Sequence, residues 1–382
     1  MRNSLKRSLC VFVVILSLSI IHWPVDYRFL DQGVAEAKIA EGMADVRMKT
    51  AVPDKNNPGI QKAMEVQNRH TAKLMAKSDV VGTAVGLTGN NVPAILVFTK
   101  KALKAGAIPQ SLDGIPVVAE VTGEIVTMKK GGSPPGTGTK IDPTAWWPRP
   151  VPIGVSTGNA GECSAGTIGA RVKKSNNVYA LSNNHVYALE NAADSGSEIL
   201  QPGLYDTSCQ YNSANVIGTL SRYVTIQFNN TSCPQVSSAC NIVDAAIASI
   251  YLDQAGNPLV GKATPSDGYG MPNSTTQSAS LGQAVQKYGR TTSLTRGTVT
   301  GLNATVTVSY GASGNAIFTG QIIIGSSRPF LKAGDSGSLV VTDDANANPV
   351  GLVFAGSGSG KYAIANPIDQ VLSSFGVTID GR

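Results

Sequence analysis

From residue 151 to the end the chain is a succession of short β-rich segments separated by turns: 165–172, 178–181, 216–226, 245–250, 297–308, 316–324, 338–341, 350–355 and 362–364. Strands at this spacing, with no helices between them, bury their apolar faces by closing into a barrel or stacking as a sandwich. The only helical pattern in the stretch, Ile368 to Phe375, comes last. A pair of barrels finished by a C-terminal helix fits residues 151–382.

Upstream the pattern differs. Residues 57–77 read as a helix, opened by Asn57-Pro58 and carrying Ile60, Ala63, Val66, Ala72, Leu74 and Met75 at roughly helical spacing. Strand-like runs at 80–87, 92–98 and 115–128 follow, and Gly89-Asn90-Asn91 suits a hairpin turn. Residues 40–128 are therefore expected to form a small α+β domain, a pro-region or a regulatory unit in contact with the larger downstream domain. It holds His70 but no cluster of nucleophile, acid or metal ligand. Residues 129–150, with Gly131-Gly132-Ser133-Pro134-Pro135-Gly136 and Trp146-Trp147-Pro148-Arg149-Pro150, are too rich in Gly and Pro for a helix or central strand. They read as a linker strapped across a surface, with the two Trp rings covering an apolar edge.

The first residues set the compartment. Arg2, Lys6 and Arg7 precede an apolar run from Leu9 to Ile21, and Ala35-Glu36-Ala37 is the nearest small-x-small signature. Residues 1–37 are expected to be a secretory signal or, if uncleaved, a membrane anchor, so that a membrane is met only in the second case. Beyond Cys10 there are four cysteines, Cys163, Cys209, Cys233 and Cys240, which an oxidising compartment would pair in one of three ways. A zinc site would need closer Cys spacing and more than one nearby imidazole. No metal or cofactor is expected. The net charge of +6 is scattered over pairs such as Lys100-Lys101 and Lys173-Lys174, with no basic helix, so nucleic acid is not an expected partner.

Chemistry concentrates at Gly334-Asp335-Ser336-Gly337-Ser338. A serine hydroxyl attacks poorly at neutral pH unless an imidazole takes its proton, and His185 is the only histidine after residue 150. Glycine before the serine would let the backbone N–H groups of Gly334 and Ser336 point into one small space, where an oxyanion could be held. The imidazole in turn needs a carboxylate. Asp244 lies inside the apolar run Asn241-Ile242-Val243-Asp244-Ala245-Ala246-Ile247-Ala248, where an unpaired charge would be costly, whereas Asp206, Asp253 and Asp267 read as solvated turn residues. Asp335 adjoins the nucleophile and is expected to pair with a buried cation or a chain terminus.

The order His185, Asp244, Ser336, within Ser-Asn-Asn-His, Asp-Ala-Ala-Ile-Ala and Gly-Asp-Ser-Gly-Ser, resembles the chymotrypsin-like serine peptidases. The run Gly289-Arg290-Thr291-Thr292-Ser293 to Val299 is similar to the segment opening the second barrel in their bacterial α-lytic and streptogrisin-type branch. The resemblance spans about residues 150–380. It implies a mainly β fold, a double six-stranded antiparallel β-barrel with a C-terminal helix, and hydrolysis of polypeptide substrates through an acyl-enzyme. It also implies a side-chain pocket with its floor near Phe330 and a wall at Ala355, Gly356 and Ser357. No acid stands at the floor, so a preference for Lys or Arg is not implied. A basic site followed by Ile-Val-Gly-Gly is missing, which argues against activation by insertion of a new N-terminus. The competing readings are a catalytically silent binding protein on the same fold and a non-peptidase acyl hydrolase. The latter usually carries Gly-x-Ser-x-Gly between a strand and a helix.

Overall fold

The computed structural model describes residues 53–128, 141–230 and 232–382. The expected signal or anchor at 1–37 and most of the linker at 129–140 lie outside the described residues. Among the described residues no helix is long and apolar enough to cross a membrane. Residues Val52–Arg382 form one compact unit.

The first barrel is a ring of strands Ser156–Asn159, Glu198–Leu200, Val216–Tyr223, Ala246–Ile250, Asn177–Ser182 and Ala170–Lys174 in that spatial order. It closes because Ala170–Lys174 continues from Gly166–Thr167, which pairs back onto Ser156–Asn159. Alternating apolar residues such as Ile168, Ala180, Ile199, Ile217, Leu220 and Ala248 fill its interior. The two disulfides join Cys163 to Cys209 and Cys233 to Cys240, one of the three pairings open to four cysteines.

The second barrel runs Ala284–Gly289, Leu339–Thr342, Pro349–Ser357, Tyr362–Pro367, Asn315–Gly325 and Ser293–Ser309, and the last strand pairs with the first to close the ring. Helix Ile368–Phe375 buries Ile368, Val371, Leu372 and Phe375 and stops at Gly376, whose φ of 64° suits a left-handed cap. Beyond it Thr378–Ile379 pairs with Ala170–Lys174, so the chain's end ties the helix to the first barrel. Asp380 completes this tie by accepting from Arg171, Lys262 and Lys173.

Residues 53–128 fold as helix Pro58–Met75 and strands Val80–Leu87, Pro93–Thr99, Ser111–Leu112, Ile115–Val121 and Ile125–Thr127. The side chain of Asn57 caps the helix by accepting from Gly59 N–H at 2.9 Å. The hairpin turn expected near residues 89–91 is present, with Asn91 at a φ of 60°. Rather than standing apart, the module joins the second barrel. At 17 residues, Ser293–Ser309 is longer than closure needs. Its first part pairs with Ala284–Gly289, and its later part offers the same edge to Val80–Leu87, in register Gly82 with Val306 and Val85 with Leu302. The result is one 11-stranded sheet. The run read as a single strand over 115–128 is broken at Thr122–Gly123, where Gly123 takes a φ of 78°. Of the Trp pair only Trp147 packs on the first barrel's core; Trp146 is 55% exposed, with the Arg149 guanidinium over its ring.

Candidate active site

Strand Asn177–Ser182 runs out of the first barrel's core and delivers Asn183, Asn184 and His185 into one short helical turn, Asn184–Tyr187. His185 Nδ1 lies 2.5 Å from Asp244 Oδ2, and the His185 backbone N–H donates to Asp244 Oδ1 at 3.2 Å. Asp244 leads into strand Ala246–Ile250, which pairs with the strand before His185. The two side chains are therefore brought together by adjacent strands of one sheet. Two amides clamp the Asp244 backbone: Asn183 Nδ2 and Asn366 Nδ2 donate to its carbonyl, and its N–H donates to Asn366 Oδ1.

Two groups around the cleft were not anticipated, and a third supplies a partner that was expected without being named. Tyr310, just past the long strand, donates its hydroxyl to Asp244 Oδ2 at 2.8 Å and sets its ring edge-on to His185. Burial, then the Asp244 carboxylate, pushes the Tyr310 phenol well above its ordinary pKa, so it remains a donor. Lys287 is the buried cation expected for Asp335: its Nζ stands 3.5 Å from Asp335 Oδ2 and donates to Thr292 Oγ1. Burial draws the lysine's pKa below its usual value, and Asp335 opposes that pull. Arg290 pairs with Asp206, which also accepts from Ser156. The reading of Asp206 as a solvated turn residue is thereby corrected: its side chain is only 7% exposed, and it holds the two barrels together. No local signal could have shown these pairings, because each partner lies dozens of residues away.

Asp335 positions the turn that carries Ser336. Its carboxylate accepts from the backbone N–H groups of Thr291, Thr292 and Lys332 and from Thr292 Oγ1, which fastens the turn to the second barrel's first hairpin. Gly334 has a φ of 101°, and a Cβ there would collide with the Thr291 and Arg290 side chains. Only glycine fits. From the first barrel, Thr167 N–H donates to Ser336 O at 2.7 Å and Thr167 Oγ1 to Gly334 O at 2.9 Å. Ser336 Oγ donates to Phe354 O at 3.3 Å, while His185 Nε2 is buried without a hydrogen-bond partner among the described residues. The backbone N–H groups of Gly334 and Ser336 converge on one atom, the carbonyl oxygen of Met128, at 2.5 and 3.5 Å.

Phe330 is fully buried against Lys287, and Ala355, Gly356 and Ser357 lie buried in the strand Pro349–Ser357. Among the rival acids, Asp253 is an exposed turn acceptor, and Asp267 accepts from the Tyr288 hydroxyl.

A family model described as the Nal1 C-terminal domain matches residues 272–370. Streptogrisin-A of Streptomyces griseus is 40% identical over 108 residues, which cover 28% of this chain and 33% of that protein. The chain thus spans about a third of the length of the curated relative it matches. Among solved structures, Protease A of Thermobifida fusca is 19% identical with a TM-score of 0.41, covering 61% of this chain and 99% of that one. The structure titled as a glutamic acid specific serine protease is 23% identical with a TM-score of 0.40, covering 60% of this chain and 100% of that one. With its two closed six-stranded rings, its C-terminal helix and its streptogrisin-like stretch, the chain is similar to the chymotrypsin-like serine peptidases, with an N-terminal module added to their fold.

Proposed function

We propose that the chain is a secreted serine endopeptidase in which Ser336 is the nucleophile, His185 the general base and Asp244 the group that orients the imidazole. Attack by Ser336 Oγ on a peptide carbonyl passes its proton to His185 Nε2. Asp244 holds the opposite ring nitrogen and stabilises the imidazolium that forms. The oxyanion is received by the N–H groups of Gly334 and Ser336, and the leaving amine takes its proton from His185, leaving an acyl-enzyme for water to hydrolyse. The observation that carries this reading is the convergence of those two N–H groups on a peptide carbonyl, beside a buried histidine–carboxylate pair at 2.5 Å. Export is supported by the two disulfides and by the charged-then-apolar start of the sequence.

One observation favours a catalytically silent binding protein: no hydrogen bond joins His185 Nε2 to Ser336. Catalytic hydrogen bonds often tighten only once substrate is bound, so the distinction is experimental. A fluorophosphonate probe applied to the exported protein should label the parent and leave Ser336→Ala unlabelled. Absence of labelling both in the parent and in Met128→Gly, in which the side chain that anchors the strand over Ser336 is gone, would make the silent reading the better one. Turnover of simple esters without any peptide cleavage would point instead to a non-peptidase hydrolase.

A further inference from the structure

An oxyanion nest works only while its donors face inward, and one of the two donors here sits on a peptide that its own glycine leaves free to turn. The Gly334 N–H shares a planar trans peptide with the Ala333 carbonyl, so rotating that plane would put an oxygen where the donor stands. Gly334, at a φ of 101°, offers little resistance, because glycine populates both signs of φ about equally. The orientation has to be imposed from outside the turn.

Thr291 imposes it. Its hydroxyl donates to Ala333 O at 2.7 Å, on the side of the peptide opposite the Gly334 N–H. A hydroxyl has one proton to give, and Arg290 decides where it goes: Nη1 donates to Thr291 Oγ1 at 2.9 Å, which leaves the hydroxyl a donor toward the carbonyl. Arg290 is itself anchored on the other barrel. Its Nε donates to Asp206 Oδ2 at 2.9 Å and its Nη2 to Asp206 Oδ1, and the Tyr205 ring packs 5.4 Å from its Cζ. A second line holds the next peptide, since Arg290 N–H donates at 3.0 Å to Thr167 Oγ1, the hydroxyl bonded to Gly334 O. Both carbonyls flanking the Gly334 N–H and Cα are thus gripped by hydroxyls that Arg290 orients. We infer that Thr291 is a positioning residue, and that Asp206 of the first barrel acts through Arg290 and Thr291 to keep the Gly334 N–H facing the nucleophile. Docking of the two barrels and readiness of the oxyanion nest are then one event. This deepens the proposed endopeptidase reading and rests on it for the consequence in turnover.

Strand Ile125–Thr127, paired with Pro349–Ser357 on one edge and Ser293–Ser309 on the other, crosses the cleft and leaves Ser336 and His185 each 0% exposed. The first readout is therefore taken on the full chain with its cleft closed. The Gly334 N–H is held by Met128 O and exchanges with solvent only when its peptide turns away. Amide hydrogen exchange at Gly334 should run about tenfold faster in Thr291→Val, which keeps the side chain's shape and removes the hydroxyl. Thr291→Ser should restore the parent rate. Asp206→Asn should also speed exchange at Gly334, without adding to Thr291→Val in the double variant. Should Asp206→Asn fail to fold, the two Thr291 variants alone decide. Exchange within Ala170–Lys174 and Leu339–Thr342 should stay at the parent rate. An unchanged Gly334 rate in Thr291→Val, or an equal rise in those two strands, would overturn the inference.

The second readout is kinetic, in a Met128→Gly background that lacks the side chain anchoring the strand over Ser336. There Thr291→Val should lower kcat on a chromogenic peptide amide by about 10- to 100-fold with KM nearly unchanged, short of the about 10²- to 10³-fold cost of losing a whole oxyanion donor. An unchanged kcat beside faster exchange at Gly334 would overturn the positioning role. If the Met128→Gly chain neither cleaves the amide nor takes the fluorophosphonate, the peptidase reading falls, and the exchange rates still decide whether Thr291 holds the turn.

Discussion

Tyr310→Phe isolates a single hydroxyl in the site. The phenyl ring of the variant keeps the edge-on contacts to His185 at 6.0 Å and Phe228 at 5.2 Å and the stacking on Phe318, so packing is preserved. What is lost is the 2.8 Å hydrogen bond to Asp244 Oδ2. A hydrogen bond to a charged group contributes about 1.5–3 kcal/mol. Were all of that expressed in the transition state, turnover would fall by a factor of about 10 to 150. Asp244 keeps its two bonds from His185, so the lower end, about tenfold, is expected. Tyr310 is placed to touch the acid and the imidazole rather than the polypeptide, so the loss should appear in kcat with KM unchanged. Steady-state kinetics on a chromogenic peptide amide would measure it. A structural role alone would not predict the second readout: in an Asp244→Asn background the hydroxyl's effect should nearly vanish, because its partner's charge is gone. A kcat within twofold of the parent, or an equal loss in both backgrounds, would refute the reasoning.

Asp244→Asn alone should leave the fold intact, as judged by circular dichroism, and lower turnover by about four orders of magnitude at neutral pH, through the wrong imidazole tautomer. The Asp380 carboxyl has its pKa raised by burial but lowered more strongly by Lys262, Arg171 and Lys173, leaving it below the usual aspartate range. Its contribution to stability is thus present above the unfolded value of ~3.9 and lost as pH falls through the lower folded value. Melting curves of Asp380→Asn should lie below the parent at pH 7 and converge with it in strong acid; a constant gap would contradict the linkage. Opening Cys163–Cys209, which spans 46 residues, should cost about 4 kcal/mol, and opening Cys233–Cys240, which spans 7, about 2 kcal/mol, on chain-entropy grounds. Urea titration of the paired Cys→Ser variants would show whether that order holds.

Most strands from residue 151 on were legible because alternation and turn residues are local signals, and helix Ile368–Phe375 was delimited to the residue, but the barrel strands Ser156–Asn159, Glu198–Leu200 and Ala284–Gly289 were not singled out. Asp244 could be singled out because an acid inside an apolar run must find a partner, and it sits against the imidazole. Tyr310, 66 residues from Asp244, and Arg290, 84 residues from Asp206, could not, since their partners are set by how the two barrels meet. The N-terminal segment shows the same limit. Its β-branched residues announce strands, but nothing in Ile125-Val126-Thr127 distinguishes a strand that stays in its sheet from one that crosses into a neighbouring slot.

The length of Ser293–Ser309 also has a cost for any form of the protein that loses residues 53–128. Stripping off Val80–Leu87 would leave Leu302–Val306 with a bare row of peptide donors and acceptors open to a foreign segment. Loss of the module would trade a paired edge for a sticky flank, and whatever strand next docks there, from a client or from a sister molecule, would inherit the place the module gave up.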